Sequence, residues 1–181
     1  MSESSGERAH EFRVEPLDVR RHARDGFFSG VESLDQYLKK QAGQDMRRKA
    51  NAVFVLVRVA APNRIIGYFT LCALALGHGG VPEAARKLVP RYPLVSATLL
   101  GRLAIAKESQ GRGFGSVLLA RALRKAYENA DVVGSCMIVV DPIDDRASRF
   151  YQAHGFQRLV SSPRLVLPMR TIGDLFMPET R

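Results

Sequence analysis

Residues 110 to 115 read Gln-Gly-Arg-Gly-Phe-Gly and separate an apolar run, LLGRLAIA, from a sequence of helical periodicity. Glycines at the mouth of a helix let an anion reach the backbone N–H groups of the first turn without meeting Cβ atoms. The partial positive charge of the helix N-terminus attracts that anion. Gln110 and Arg112 add a neutral polar side chain and a cation beside the same backbone. The chemistry is that of a phosphate cradle. A second stretch, RFYQAHGF at 149 to 156, holds Tyr151 and His154 just before a glycine that stops a helical pattern. A polar side chain there is often a C-terminal cap. His10, His22, His78 and His154 are not at metal-ligand spacing from one another. Cys72 and Cys136 stand singly among apolar neighbours, where cysteine acts as a small hydrophobe, and both read as core. No metal site is expected.

The elements that must hold these residues follow from periodicity. FRVEPLD (12 to 18) reads as a first strand. SLDQYLKKQA from Ser33 has Leu34, Tyr37, Leu38 and Ala42 at helical spacing, with Ser33 and Gln36 arranged as a capping box and Gly43 as an interruption. NAVFVLVRVA (51 to 60) and RIIGYFTLCALAL (64 to 76) form a hairpin pattern joined by Pro62-Asn63. A short helix, PEAARKL, and the turn VPRYP lead into the long strand at 94 to 106 that ends at the cradle. Residues 113 to 127 are an amphipathic helix, with Val117 among its apolar positions. CMIVVDP (136 to 142) reads as a buried strand, DDRASRFYQAH as a helix started by Asp144, and GFQRLV and RLVLPMR as two closing strands. On the helix that carries them, Phe150 is expected in the core and Tyr151 to be functional.

A chain of 181 residues with 46% apolar and 25% charged residues suits one domain, expected over 11 to 177 behind a disordered segment at 1 to 10. Arg58, Pro62, Asn63 and Arg64 break the longest hydrophobic region before it reaches the ~18 residues of a membrane span. The polar start MSESSGERAHEFR lacks a secretory pattern, so a cytoplasmic location is expected. The 27 Lys and Arg against 18 Asp and Glu leave a net charge of +9, which favours polyanionic partners.

Three cradle types compete. A P-loop needs a lysine after its second glycine, and none stands there. A dinucleotide fingerprint is nearly met by Gly111, Gly113 and Ser116, but Asp131 comes too early and Asp141 too late for the ribose contact. The pattern Gln or Arg, x, x, Gly, x, Gly or Ala is met in full by residues 110 to 115.

With that motif after a long fourth strand, and RFYQAHGF further on, the chain resembles the GNAT family of acetyl-CoA-dependent N-acetyltransferases. The resemblance implies an α+β, three-layer fold whose mixed central sheet has a splayed fourth strand and is flanked by helices. It implies that Gly111, Arg112, Gly113, Phe114, Gly115 and Ser116, with Gln110, hold the coenzyme A pyrophosphate, and that the backbone of Leu103, Ala104 and Ile105 pairs with the pantetheine. Acetyl transfer needs a neutral amine, a stabilised oxyanion and a proton for the leaving thiolate. A phenol of pKa ~10 suits the last task, so Tyr151 is the expected general acid.

The stretches FFSGVESLDQYLKKQAGQDMRRKANAVFVLV and PRYPLVSATLLGRLAI narrow the resemblance to the GNAT toxins of type II toxin-antitoxin systems. Members acetylate the α-amino group of aminoacyl-tRNA, which blocks translation, and are held by a ribbon-helix-helix antitoxin. Lys39, Lys40, Arg47, Arg48 and Lys49 are then one candidate tRNA patch, and Arg86, Lys87 and Arg91 another. A homodimer is allowed. The alternatives are a GNAT enzyme acting on a small-molecule or protein amine, and a GNAT-like domain that only binds.

Overall fold

The computed structural model describes residues 11–176, so the segment at 1 to 10 and residue 177 lie outside the described residues. In chain order the elements are β1 (Phe12–Pro16), α1 (Glu32–Gln36), a π-helical turn (Tyr37–Gln41), α2 (Ala42–Arg47), β2 (Ala52–Arg58), β3 (Ala61–Gly77), a 3₁₀ turn (His78–Gly80) and α3 (Glu83–Arg86). They continue with β4 (Leu94–Ile105), a 3₁₀ turn (Lys107–Ser109), α4 (Phe114–Val133), β5 (Met137–Val140), α5 (Asp145–Ala153), β6 (Gln157–Arg158), β7 (Leu165–Pro168) and α6 (Met169–Phe176). The seven strands lie in the order β1-β2-β3-β4-β5-β7-β6. The sheet is mixed: β4 and β5 are parallel, while β1 and β2, β5 and β7, and β6 and β7 are antiparallel. β5 ends at Val140 opposite Leu100, so β4 runs on through Gly101–Ile105 beyond the end of β5.

The chain divides into two compact units, one up to Thr70 together with Arg102–Arg121, the other Leu71–Gly101 together with the residues from Ala122 onward. In the first unit Leu17, Phe27, Tyr37, Leu38, Val55, Val57, Tyr68 and Ala104 pack into one core. The Arg102 guanidinium lies 3.5 Å over the Tyr37 ring, a cation–π contact at the rim of that core. The π turn widens the helix and leaves carbonyls off the regular ladder. Arg24 meets two of them, with Nη1 donating to the carbonyls of Leu38 and Lys39. In the second unit Leu76, Val81, Ala85, Val95, Met137, Val139 and Val166 form the core. All four residues of β5 are buried, as an unbroken MIVV run requires of a strand covered on both faces.

Several local expectations are corrected. The start of α1 is Val31, which makes no side-chain cap, and Gln36 donates to Glu32 instead of closing a capping box. Gly43 does not interrupt the helix. It is buried inside α2, where a Cβ would stand 3.2 Å from Val19 Cγ1, so glycine allows the close approach of Val19. Pro62 and Asn63 lie within β3, and the hairpin turns at Val59 and Ala60. Val117 is exposed, and both cysteines are half-buried rather than core. Phe150, expected in the core, is partly exposed, and Tyr151 beside it is buried. The helix α6 has no counterpart in the sequence reading.

Candidate active site

The cradle belongs to the first unit. Helix α4 starts at Phe114, and the N–H of Val117 donates to the carbonyl of Gly113 at 3.3 Å, so Gly113 opens the helix. The first turn of any helix has leading N–H groups with no partner inside it. Gly111 and Gly113 have φ of +74° and +82°, the left-handed region, and a Cβ built on either meets nothing within 4 Å. Both are exposed. The space a side chain would take is therefore open on the outside of the loop. Phe114 contributes through its backbone, because its ring packs edge-on against Phe12 with centroids 5.0 Å apart.

Gln110 plays a part that its sequence position does not reveal. Its Nε2 donates to the carbonyl of Ser29 at 2.8 Å and to that of Ile105 at 3.0 Å. The amide nitrogen is thus committed to protein carbonyls. Ala104 and Ile105 are buried and Leu103 half-buried, so what these residues can offer a ligand is backbone on the part of β4 that outruns β5. Arg112 is exposed beside a groove of about 380 Å³ lined by Arg58, Arg64, Ile66, Glu108 and Ser109. Arg64 is paired with Glu108, and Arg58 with Glu11.

Close packing of β3 on β4 sets where this backbone lies. A Cβ on Gly67 would come within 2.7 Å of Ile105 Cδ1 and 2.8 Å of the Ala104 carbonyl oxygen. Gly67→Ala should therefore destabilise the fold by about 1–3 kcal/mol, the usual range for overpacking, and weaken acetyl-CoA binding by moving Ala104. Thermal melts and cofactor titration check this. A parental melt with parental affinity would show that the strands can separate without consequence.

Tyr151 belongs to the second unit, on α5. Asp144 starts that helix, its carboxylate accepting from the N–H of Ala147 at 2.7 Å. The helix ends in a Schellman motif: the N–H of Gly155 donates to the carbonyl of Gln152 and that of Phe156 to the carbonyl of Tyr151. Gly155 supplies the required φ of +89°. His154 is the C-cap, and its Nδ1 donates to the Phe150 carbonyl at 2.8 Å. The Tyr151 ring is held edge-on between Phe150 and Phe156, with centroids 5.3 and 5.4 Å away. Its phenol is 7% exposed, and burial pushes its pKa well above the ordinary tyrosine value. At neutral pH the Oη keeps its proton.

The expected tRNA residues fall into two groups, one in each unit. Lys40, Arg47, Arg48 and Lys49 are exposed and Lys39 is half-buried. Lys49 ends α2 with a φ of 59°. In the second group Lys87 and Arg91 are exposed, whereas Arg86 is half-buried with Nε donating to the Val81 carbonyl at 3.1 Å. The groove with Arg58, Arg64 and Arg112 is a further cationic group that spacing along the chain could not disclose, because its members come from β2, β3 and the cradle.

Comparison with known proteins shows the family and the fold. The Acetyltransferase (GNAT) domain family matches residues 50–158. A tRNA-acetylating toxin of Mycobacterium tuberculosis (strain ATCC 25618 / H37Rv) is 34% identical over 153 residues, covering 82% of this chain and 89% of that protein. The structure of AtaT complexed with acetyl-methionyl-tRNAfMet superposes with a TM-score of 0.83 at 28% identity, covering 92% of this chain and 99% of that one. A tyrosine-to-phenylalanine mutant of the AtaT toxin, bound to the C-terminus of the antitoxin AtaR and acetyl-CoA, gives a TM-score of 0.77 at 25% identity, covering 92% and 98%.

Proposed function

We propose, from the premise that this chain belongs to the GNAT family of acetyltransferases, that it transfers acetyl from acetyl-CoA to the α-amino group of aminoacyl-tRNA and so acts as a toxin. The observation that carries the cofactor half of this reading is the pair of exposed left-handed glycines with empty Cβ positions at the start of α4. The nucleic-acid half is supported by the similarity to a tRNA-acetylating toxin and to AtaT in its complex with an acetylated aminoacyl-tRNA, together with the net charge of +9.

Acetyl-CoA, when bound, supplies an activated thioester. The N–H groups at Gly111–Ser116 hold its pyrophosphate, with the Arg112 cation beside them, and the backbone of Leu103–Ile105 lines its pantetheine. Tyr151 Oη holds the proton that the departing thiolate needs, and its raised pKa keeps that proton in place until it is used. An α-amine of pKa ~8 is substantially neutral near physiological pH, so water can take up the amine proton without a dedicated base. The exposed cations of Lys40, Arg47, Arg48 and Lys49 and of Lys87 and Arg91 are the proposed tRNA phosphate contacts, and binding should weaken steeply with salt.

One domain over 11 to 177, a cytoplasmic location where charged tRNA is found, a ribbon-helix-helix antitoxin as partner and a homodimeric assembly complete the proposal. Among the described residues no helix is long and apolar enough to cross a membrane.

The test is transfer of labelled acetyl to a mixed pool of charged tRNA, with uncharged tRNA, free amino acids and polyamines in parallel. Label on charged tRNA alone, released when the aminoacyl ester is hydrolysed, supports the reading. Label only on small amines replaces it with a metabolic acetyltransferase. The rate should also rise between about pH 6 and 9 as the acceptor amine of pKa ~8 loses its proton, then level off. Because burial raises rather than lowers the Tyr151 pKa, that phenol adds no falling limb below pH 9. A falling limb present in the parent and absent in Tyr151→Phe would show the opposite shift.

A further inference from the structure

We infer that Asp35, which has no part in acetyl transfer itself, is a positioning residue for the phosphate cradle and acts through Ser29 and Gln110. The inference rests on the cradle reading above. Asp35 and Ser29 are 2% and 4% exposed, so the bonds between them are shielded from water. Asp35 Oδ1 accepts from the Ser29 N–H at 2.8 Å and from the Ser29 hydroxyl at 2.6 Å. The Ser29 carbonyl in turn accepts from Gln110 Nε2, and the same nitrogen reaches the Ile105 carbonyl. One chain of hydrogen bonds therefore runs from α1 to the residue that begins the cradle, with a branch to the last residue of β4. A backbone tie lies beside it, the N–H of Lys107 donating to the carbonyl of Phe28 at 2.8 Å.

The cradle needs such external support. Gly111 and Gly113 have the widest backbone freedom of any residue, so no side chain of their own holds their left-handed conformation. Gln110 is the adjacent fixed point. Its amide is oriented by the Ser29 carbonyl, and Ser29 is itself held by the two donors it commits to Asp35. Asp35 Oδ2 is buried without a hydrogen-bond partner, so the carboxylate is not placed for its own best solvation. What the arrangement uses is one acceptor oxygen. Asparagine offers the same acceptor oxygen, and should serve as well.

The experiment titrates acetyl-CoA into the full-length protein and its variants by calorimetry, with circular dichroism to verify folding. Asp35→Ala and Gln110→Ala should each raise the Kd for acetyl-CoA about 5- to 10-fold, the range for losing one or two buried hydrogen bonds, and KM should rise in step at unchanged kcat. The double variant should be no weaker than either single one, since both break one chain. Asp35→Asn should keep the parental Kd. Should Asp35→Ala not fold, Ser29→Ala, which removes the hydroxyl that donates to Asp35 and accepts from the Val31 N–H, should still raise Kd measurably. Parental affinity in folded Asp35→Ala or in Ser29→Ala, or effects of Asp35→Ala and Gln110→Ala that multiply, would overturn the inference. Gly113→Val separates this from failure of the cradle. If it weakens binding while Asp35→Ala does not, the strut alone is wrong. If it too binds like the parent, the cradle and the strut fall together.

Discussion

Tyr151→Phe is expected to lower kcat by about 10²- to 10⁴-fold, the usual contribution of a positioned proton donor, while acetyl-CoA binds with parental affinity. The substitution removes a single atom, Oη. The ring keeps its edge-on contacts with Phe150 and Phe156, and the carbonyl of residue 151 still accepts the Phe156 N–H that closes the helix. Stability should accordingly stay close to that of the parent, so that a fall in rate cannot be traced to unfolding. Steady-state turnover at saturating acetyl-CoA, with a separate cofactor titration, reads both quantities. Parental turnover would remove Tyr151 from the mechanism and leave the buried phenol as a packing residue.

Gly113→Val should act on the opposite quantity, raising the Kd for acetyl-CoA at least 10-fold. Two physical effects combine. The Cβ branches would occupy the open side of the loop where a phosphate approaches, and an L-residue resists a φ of +82°. Because nothing lies within 4 Å of the built Cβ, the fold itself has room, and the loss of stability should be limited to about 1–2 kcal/mol of backbone strain. Thermal melts and calorimetric titration separate the two. Unchanged affinity would defeat the assignment of these glycines to the pyrophosphate.

Much of this was legible because the relevant signals are local. The cradle glycines, the Asp144 cap and the Gly155 stop each act within four or five residues, and a short window of sequence displays them. The order of strands and helices through β7 follows from periodicity for the same reason. What escaped reading depends on distant partners. Gly43 looks like a helix breaker until Val19 is seen against it, and the helix α6 contains Gly173, whose missing Cβ leaves space for the Tyr127 ring at 3.0 Å. In both places tertiary contact outweighs low helix propensity. Pro62-Asn63 has the composition of a turn, yet a two-residue link at Val59 and Ala60 takes the chain round and leaves them in β3. Gln110 stands in the motif as a residue that meets phosphate, but its partner Ser29 lies 81 residues away. Phe150 has the composition of a core residue, yet on α5 it is the more exposed of the two neighbouring rings.

The strut from Asp35 to Gln110 also has a consequence for amide exchange with deuterated solvent. The N–H groups of Ser29, Ala106 and Lys107 are engaged by Asp35, by the Ile66 carbonyl and by the Phe28 carbonyl, so they should exchange only through larger openings of the first unit. Gly111 and Gly113, exposed in the intervening loop, should exchange early. The two behaviours would meet at a boundary only one or two residues wide, near Gln110. Filling the cradle should slow the glycines and leave the already protected amides nearly unchanged, so a ligand's footprint would be read where the chain is most exposed rather than where it is best packed.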